Sequence, residues 1–254
     1  MTEYLPYRNS CWSGFISRKL KDMDLSPEKL AVQGEVIVNK PNRMVRRIEL
    51  PGTTVYAKWF APPKNIFKRW FRKPLAFRLL DIHRAMLASG IGCATPFLAA
   101  ISSRPFEKTA QVFVYKEVPY QDITHRLLKA SDEEAERLYL IAAQAVAALH
   151  NAGFVHGDCL PGNICLSDEG QFYFIDNDRT ASSLPFLRAY QERRNLIQFC
   201  AHALHQHSMS PEQQKLFLKR YFECRSQKLP KLEPLLDRID TRFQEIQREK
   251  SQTT

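Results

Sequence analysis

Apolar positions alternate with polar ones, or run β-branched, over three stretches: Glu35–Asn39 (EVIVN), Met44–Leu50 (MVRRIEL) and Thr53–Phe60 (TTVYAKWF). The turn-forming Lys40-Pro41-Asn42-Arg43 and Pro51-Gly52 separate them, so the pattern predicts a three-stranded antiparallel meander. From Pro74 to Ser89 the period becomes helical, with Leu75, Leu79, Ile82 and Met86 on one face and Gly90 as the stop. Gln111–Val118 (QVFVYKEV) reads as a further strand. Past Tyr120 the sheet-like sequence gives way to helices. The first opens on the capping-box pattern Ser131-x-x-Glu134, carries Leu138, Ile141, Ala145, Val146 and Leu149 on one face, and ends at Gly153. Short apolar strands follow at Phe154–His156, Ile164–Leu166 and Phe172–Ile175, the last two joined by the turn Ser167-Asp168-Glu169-Gly170. Helices over 188–205, over 211–224 with Ser210 as N-cap and Pro211 at N1, and over 232–250 complete the chain. The pattern is that of an α+β protein in two lobes. Residues 29–118 form a small antiparallel-sheet lobe with one main helix, residues 119–254 a mostly helical lobe, and residues 1–28 stay unassigned. There is no internal repeat and no low-complexity tract.

Composition adds sign rather than shape. With 44% hydrophobic and 25% charged residues the 254-residue chain can bury a core of ordinary size. Its 37 Lys and Arg against 27 Asp and Glu leave a net charge of +10, which points to an anionic partner. The stretch Pro51–Leu80 holds Lys58, Lys64, Lys68, Arg69, Arg72, Lys73 and Arg78 and no acid. Within it, residues 64–73 (KNIFKRWFRK) interleave Phe67, Trp70 and Phe71 with cations; that spacing suits a helix docked on a core or an anionic membrane interface equally well. No apolar run approaches the roughly 18–20 residues that cross a bilayer. The N-terminus, with Glu3 and no apolar core, does not read as a signal peptide, so a soluble cytoplasmic protein is expected. Six cysteines without a CxxC pair argue for reduced thiols over disulfides or zinc.

The informative segment is His156-Gly157-Asp158-Cys159-Leu160-Pro161-Gly162-Asn163, followed one hairpin later by Asp176-Asn177-Asp178-Arg179. Polar residues here leave the ends of apolar strands. Pro161-Gly162 forces a tight loop that folds Asn163 back toward Asp158, and the strand ending at Ile175 delivers Asp176 to the same place. Phosphoryl transfer needs such a set: a carboxylate beside the acceptor hydroxyl, and an Asn plus a second carboxylate to hold Mg²⁺ against nucleotide phosphates. The alternative for these residues is a capped turn and two solvated loop acids. Cys159, within the loop, has no basic neighbour arranged to activate it and reads as inert. His202, His205 and His207 lack a further ligand on their helix face and read as surface residues.

The HGDxxxxN and ID-x-D motifs resemble the catalytic and metal motifs of the protein-kinase-like fold. With His-Gly-Asp and Asp-Asn-Asp-Arg as they stand here, they are similar to those of the Kdo/WaaP lipopolysaccharide-core kinases. The resemblance runs from about Glu35 to the helix containing Arg193-Arg194-Asn195-Leu196. It takes in Ala57-Lys58-Trp59-Phe60, Gly90-Ile91 through Thr95-Pro96, and Tyr115-Lys116-Glu117. It implies a two-lobed protein-kinase-like fold and an enzyme that uses ATP and Mg²⁺ to phosphorylate a hydroxyl of a lipopolysaccharide-core sugar, heptose or Kdo. By the same resemblance Asp158 is the catalytic base and Asn163 and Asp176 are the metal ligands. Lys58 contacts the nucleotide phosphates, the hinge residues Glu117 and Val118 meet adenine through backbone groups, and His156 fixes the catalytic loop. Asp178 is a lesser metal or acceptor contact, and Asp81 stands where the fold places a Glu to pair with the lysine. For Lys58 the alternative is an edge-strand lysine that keeps a sheet soluble.

Three departures accompany the resemblance. The turn Lys40–Arg43 has no glycine to bring backbone N–H groups onto phosphates; Arg43, Arg46 or Arg47 would substitute, or are simply exposed strand charges. The helix acid is the shorter Asp81. The segment after Arg179 reaches the next helix in about ten residues, which suits a small or saccharide acceptor better than a peptide. The implied partners are a lipopolysaccharide core or lipid-linked saccharide and an anionic membrane reached through 64–73, on the cytoplasmic face of the inner membrane, with no nucleic acid expected. Oligomeric state is not legible. The competing functions are another small-molecule or protein kinase of this fold, and a non-catalytic nucleotide-binding envelope interaction protein.

Overall fold

Hydrogen-bonded strands form where β-branched and aromatic residues alternate, and in the computed structural model the alternating stretches extend further than the central meander. The structure describes residues 3–21, 23–61, 73–103, 110–227 and 229–251. The basic segment 64–73 therefore lies, except for Lys73, outside the described residues. The chain divides into two compact units, residues 1–85 with 94–118, and residues 86–93 with 119–254.

In the first unit the strands are β1 (Tyr4–Arg8), β2 (Trp12–Ser17), β3 (Glu35–Lys40), β4 (Arg43–Leu50), β5 (Thr53–Phe60), β6 (Pro96–Ser102) and β7 (Gln111–Lys116). They form one antiparallel sheet in the order β1-β2-β6-β7-β5-β4-β3. The meander is β3–β5, with Lys40 opposite Arg43 across a two-residue turn. The segment 1–28, unassigned from sequence, supplies two more strands, a single 3₁₀ turn and the start of the one-turn helix α1 (Pro27–Leu30). Alternation sorts the faces. Val55, Ala57 and Trp59 join Trp12, Ile48 and Leu98 in one cluster, whereas Phe60 and Phe113 meet Ala76, Leu79 and Leu80 of α2 (Leu75–Ala88) on the other. The buried stripe of α2 is Ala76, Leu79, Leu80, His83 and Met86: of the predicted Leu75, Leu79, Ile82 and Met86, Leu79 and Met86 are buried, whereas Leu75 and Ile82 are half-buried and the stripe turns toward Ala76, Leu80 and His83.

The second unit is built around α4 (Asp132–Asn151), buried at Leu138, Tyr139, Ala142, Ala143, Val146 and Leu149. Ser131 Oγ accepts from the Glu134 N–H at 3.3 Å, capping the helix as its sequence predicts. Around it stand α3 (Ile123–Leu127), α5 (Arg188–His207), α6 (Pro211–Cys224) and α7 (Glu233–Ser251). α6 carries the reciprocal capping box between Ser210 and Gln213. Short strands β8 (Phe154–Val155), β9 (Ile164–Leu166), β10 (Phe172–Phe174) and β11 (Ala181–Ser182) pair as β9–β10 and β8–β11. These two small ladders carry the loops that hold the conspicuous polar residues. No helix among the described residues is long and apolar enough to cross a membrane.

Candidate active site

Lys58, Asp81, Glu117 and Val118 lie in the first unit, and His156, Asp158, Asn163, Asp176 and Asp178 in the second. Lys58 sits opposite Val45 of β4 and Phe113 of β7, on an interior strand, and only 4% of it is exposed. It is therefore no edge-strand solubility lysine. Its Nζ lies 5.5 Å from the centroid of the Tyr115 ring, whose π-face offsets part of the cost of burying the charge. His83, buried beside it with its Nδ1 at 2.7 Å from the Ala94 carbonyl, is pushed down to about 4 by burial.

Asp81 is on the exposed side of α2 and pairs with Lys73, which corrects the expected Lys58–Asp81 pair. The helix rotation explains it: the residue facing the sheet one turn after Leu79 and Leu80 is His83. Just past β7, the Glu117 N–H donates to the Thr54 carbonyl at 2.9 Å, so that N–H is committed to the sheet. Its carboxylate takes a bidentate pair from Arg47, at 2.7 and 3.0 Å, which holds it below the usual carboxylate range. Val118 follows β7 and is half-buried. Arg46 Nη1 donates to the Gln33 and Gly34 carbonyls. Arg46 and Arg47 are thus structural cations, a use that the residue pattern alone does not suggest.

The second unit brings its residues together through one histidine. The Asp158 N–H donates to His156 Nδ1 at 3.1 Å, so the ring proton is on Nε2, which donates to the Ile175 carbonyl at 3.1 Å. One imidazole thus ties the residue at the head of the first loop to the residue just before Asp176. Burial lowers its pKa, against the pull of Asp158 and Asp176, so it stays neutral and keeps this pairing. Asn163 makes the second tie. Its Nδ2 donates to the Asp158 carbonyl at 2.7 Å, and its own carbonyl accepts from the Ile175 N–H at 3.0 Å. With Nδ2 committed, Oδ1 is the end of that amide left to meet a cation.

Asp176 holds φ 54°, ψ 46°, a left-handed conformation that turns the chain out of β10 into the 3₁₀ turn Asn177–Arg179. Asn177 anchors that turn, donating to the Phe174 carbonyl and accepting from Thr180 Oγ1. Asp178 is half-buried on the same turn. Asp158 is about one-third exposed, with Arg179 Nη1 at 3.2 Å from its Oδ1. Oδ2 has no hydrogen-bond partner among the described residues.

Sequence reasoning assigned no role to three residues that the geometry makes essential to this arrangement. Gly157 is required because a Cβ there would stand 2.1 Å from the Arg179 Cβ and 2.6 Å from its carbonyl oxygen. Arg179 supplies the cation beside Asp158. Asn195 of α5 clamps the His156 backbone from both sides, Oδ1 accepting its N–H at 3.0 Å and Nδ2 donating to its carbonyl at 2.6 Å. Asn195 Oδ1 also pairs with Nε2 of the buried His150, whose Nδ1 meets the Tyr221 hydroxyl at 2.8 Å. The signal was present: Asn195 falls on the stripe of Glu192, Leu196, Phe199 and Ala203, a polar side chain on a buried helix face.

Cys159 is buried and its thiol is pushed up to about 12 by desolvation, an inert group as expected. None of the six cysteines forms a disulfide. His202, His205 and His207 are half-buried rather than on the surface, and the His205 ring lies against Phe243 of α7. No three His, Cys, Asp or Glu side chains gather as a metal site among the described residues. Asn163 and Asp176 instead offer two hard oxygen donors, a set that fits Mg²⁺, which keeps its remaining positions for water and phosphate.

Comparison with known proteins bears on the fold and on the family. The model of the lipopolysaccharide kinase (Kdo/WaaP) family matches residues 59–221, well over half the chain. A solved structure of WaaP in complex with acyl carrier protein superposes with a TM-score of 0.66 at 19% identity, covering 90% of this chain and 95% of that one. The architecture is accordingly a kinase-like fold of mixed α/β type. Among curated proteins no match was found.

Proposed function

The chain belongs to the lipopolysaccharide kinase (Kdo/WaaP) family, and from that premise we propose that it transfers the γ-phosphoryl group of ATP to a hydroxyl of a lipopolysaccharide-core sugar, heptose or Kdo. The observation that carries the reading is the pair of ties from His156 and Asn163, which gathers Asp158, the Asn163 amide and the strand end at Asp176. Asn163 Oδ1 and the Asp176 carboxylate would hold Mg²⁺, which neutralises phosphate charge when bound. Asp158 Oδ2 receives the proton of the acceptor hydroxyl as the new O–P bond forms and the bond to the ADP oxygen breaks. Arg179 holds the carboxylate turned through its Oδ1. Lys58, buried and charged, meets the nucleotide phosphates, and the chain around Glu117 and Val118 the adenine. Catalysis of this kind rests on positioning and charge compensation rather than on covalent chemistry.

The segment between Arg179 and α5 holds a single short strand, β11, and suits a saccharide acceptor. The charge of +10 suits an acceptor rich in phosphate and carboxylate. We place the enzyme in the cytoplasm, peripheral on the inner membrane where such acceptors are assembled, and extend to it an acyl carrier protein as a candidate partner. The second reading, nucleotide binding without turnover, draws on the glycine-free turn Pro41-Asn42 and the structural engagement of Arg46 and Arg47. Transfer of labelled γ-phosphate from Mg·ATP to lipopolysaccharide from a strain lacking this enzyme separates the two. Label in the core that vanishes in Asp158→Ala and Asp176→Ala supports the kinase; tight ATP binding with no transfer to any core acceptor supports the alternative.

A further inference from the structure

Away from the catalytic loops, the second unit carries a surface that phosphoryl transfer does not use. α5 and α7 pack together and leave two adjoining grooves of about 640 and 280 Å³ that share Arg193 and Arg238. In the larger, the buried Leu196, Tyr221 and Leu235 lie beneath the exposed Arg193, Lys231 and Arg238. The smaller adds Tyr190, Arg194 and Arg242. Two acids face these grooves, and both are spent. Glu192 is held by Arg188 and Arg225, and Glu245 by Arg242. Arg193, Arg194, Lys231 and Arg238 have no ion-pair partner among the described residues. Such a concentration of unmatched cations is stabilised by an external anion.

Apolar surface adjoins the charge. Phe186 is 81% exposed and Tyr190 63%, with Leu184 and Leu187 also exposed. Leu187 leads directly into α5, so Leu187, Tyr190, Arg194 and Ile197 follow at helical spacing along one face. Tyr190 and Arg194 are one turn apart, roughly 6 Å along the axis. Exposed aromatic side chains standing beside a row of cations match the chemistry of the headgroup boundary of a bilayer.

We propose that this surface docks on an anionic phospholipid bilayer, with Phe186 and Tyr190 entering the headgroup region and Arg193, Arg194, Lys231 and Arg238 on lipid phosphates. It rests on the proposed peripheral location only for which membrane is meant, and its test needs neither nucleotide nor turnover. The full chain is sedimented with vesicles of phosphatidylcholine alone or with about 30 mol% phosphatidylglycerol. Binding should require phosphatidylglycerol and weaken as salt rises. The double variant Arg193→Glu/Arg238→Glu, and separately Phe186→Ser/Tyr190→Ser, should each bind about tenfold more weakly or worse, with unchanged thermal unfolding and ATP binding. Equal binding by either double variant overturns the proposal, as does equal binding to neutral vesicles, or loss of binding only when Lys68→Glu/Arg69→Glu is made in the basic segment. No binding of the wild type to anionic vesicles overturns it as well, and leaves an acidic protein as the occupant to seek. Phosphoryl transfer to a deacylated core saccharide in solution, measured beside it, tests the catalytic reading alone.

Discussion

Replacing Asn195 by Ala removes the side chain that holds His156 in place, and the structure says what is stranded. The His156 N–H and carbonyl lose partners at 3.0 and 2.6 Å, and His150 Nε2 loses one at 3.0 Å. Both histidines are essentially fully buried, at 1% and 0% exposure, so water does not replace the lost bonds freely. A buried polar group left without a partner costs about 1–3 kcal/mol, and for three groups a total loss of about 3–9 kcal/mol is expected. That is a large share of a typical domain's stability of about 5–15 kcal/mol. The chain allows the loss to be located, because its three tryptophans, Trp12, Trp59 and Trp70, all precede residue 86, where the second unit begins. Urea unfolding followed by far-ultraviolet circular dichroism, dominated by α4–α7, should shift to lower denaturant by about 1.5–4.5 M for slopes of about 2 kcal/mol per M. Tryptophan fluorescence should shift less. Initial rates should fall through kcat, since Asp158 is two residues from the released backbone. Gln206→Ala, exposed on the same helix, serves as the control. A loss below about 1 kcal/mol, or an equal shift in both signals, would refute the argument.

Gly157→Ala should cost about 1–3 kcal/mol by overpacking against Arg179 and reduce turnover sharply; wild-type rates at wild-type melting temperature would show that the loop yields freely. Asp176→Gly relieves a left-handed non-glycine residue and should leave the melting temperature unchanged or raise stability by about 1 kcal/mol while abolishing activity, which differential scanning calorimetry and the transfer assay together decide. Glu192→Ala leaves Arg225, whose side chain is 5% exposed, without its carboxylate, and a loss of about 3 kcal/mol is expected in urea unfolding; a change within about 0.5 kcal/mol would show the pair to be dispensable. Burial pulls His83 and His150 down to about 4 and lowers His156 as well, against about 6.5 in the unfolded chain. Between those values the unfolded state binds more protons, so stability should fall as pH drops from about 6.5 towards about 4 and be insensitive to these groups above that range. Urea midpoints that stay flat between about pH 7 and pH 5 would contradict this.

Much of this protein was legible in its residues because the relevant forces are local. The meander Glu35–Phe60 follows from period-two alternation and turn residues, α4 from helical spacing and the Ser131 cap, and α6 from Ser210 and Pro211. The loop Asp158–Asn163 and the strand end at Asp176 were legible because strand alternation does not account for polar residues gathered at the ends of short apolar strands. The N-terminal strands and Pro96–Ser102 were missed: the latter is buried on nearly its whole length and shows no alternation, and the former pair with each other but join the sheet only through β6, some ninety residues away. Tertiary packing alone rotated α2, so that His83 rather than Asp81 faces the sheet, and turned Arg47 into the partner of Glu117. It also decided that Gly157 must lack a side chain, that Arg179 stands beside Asp158, and that Asn195, 39 residues away, clamps His156. The division is physical: periodicity and capping act within a few residues and can be read along the chain, whereas the partner of a buried polar group is set by whichever distant segment the packed core brings within about 3 Å of it.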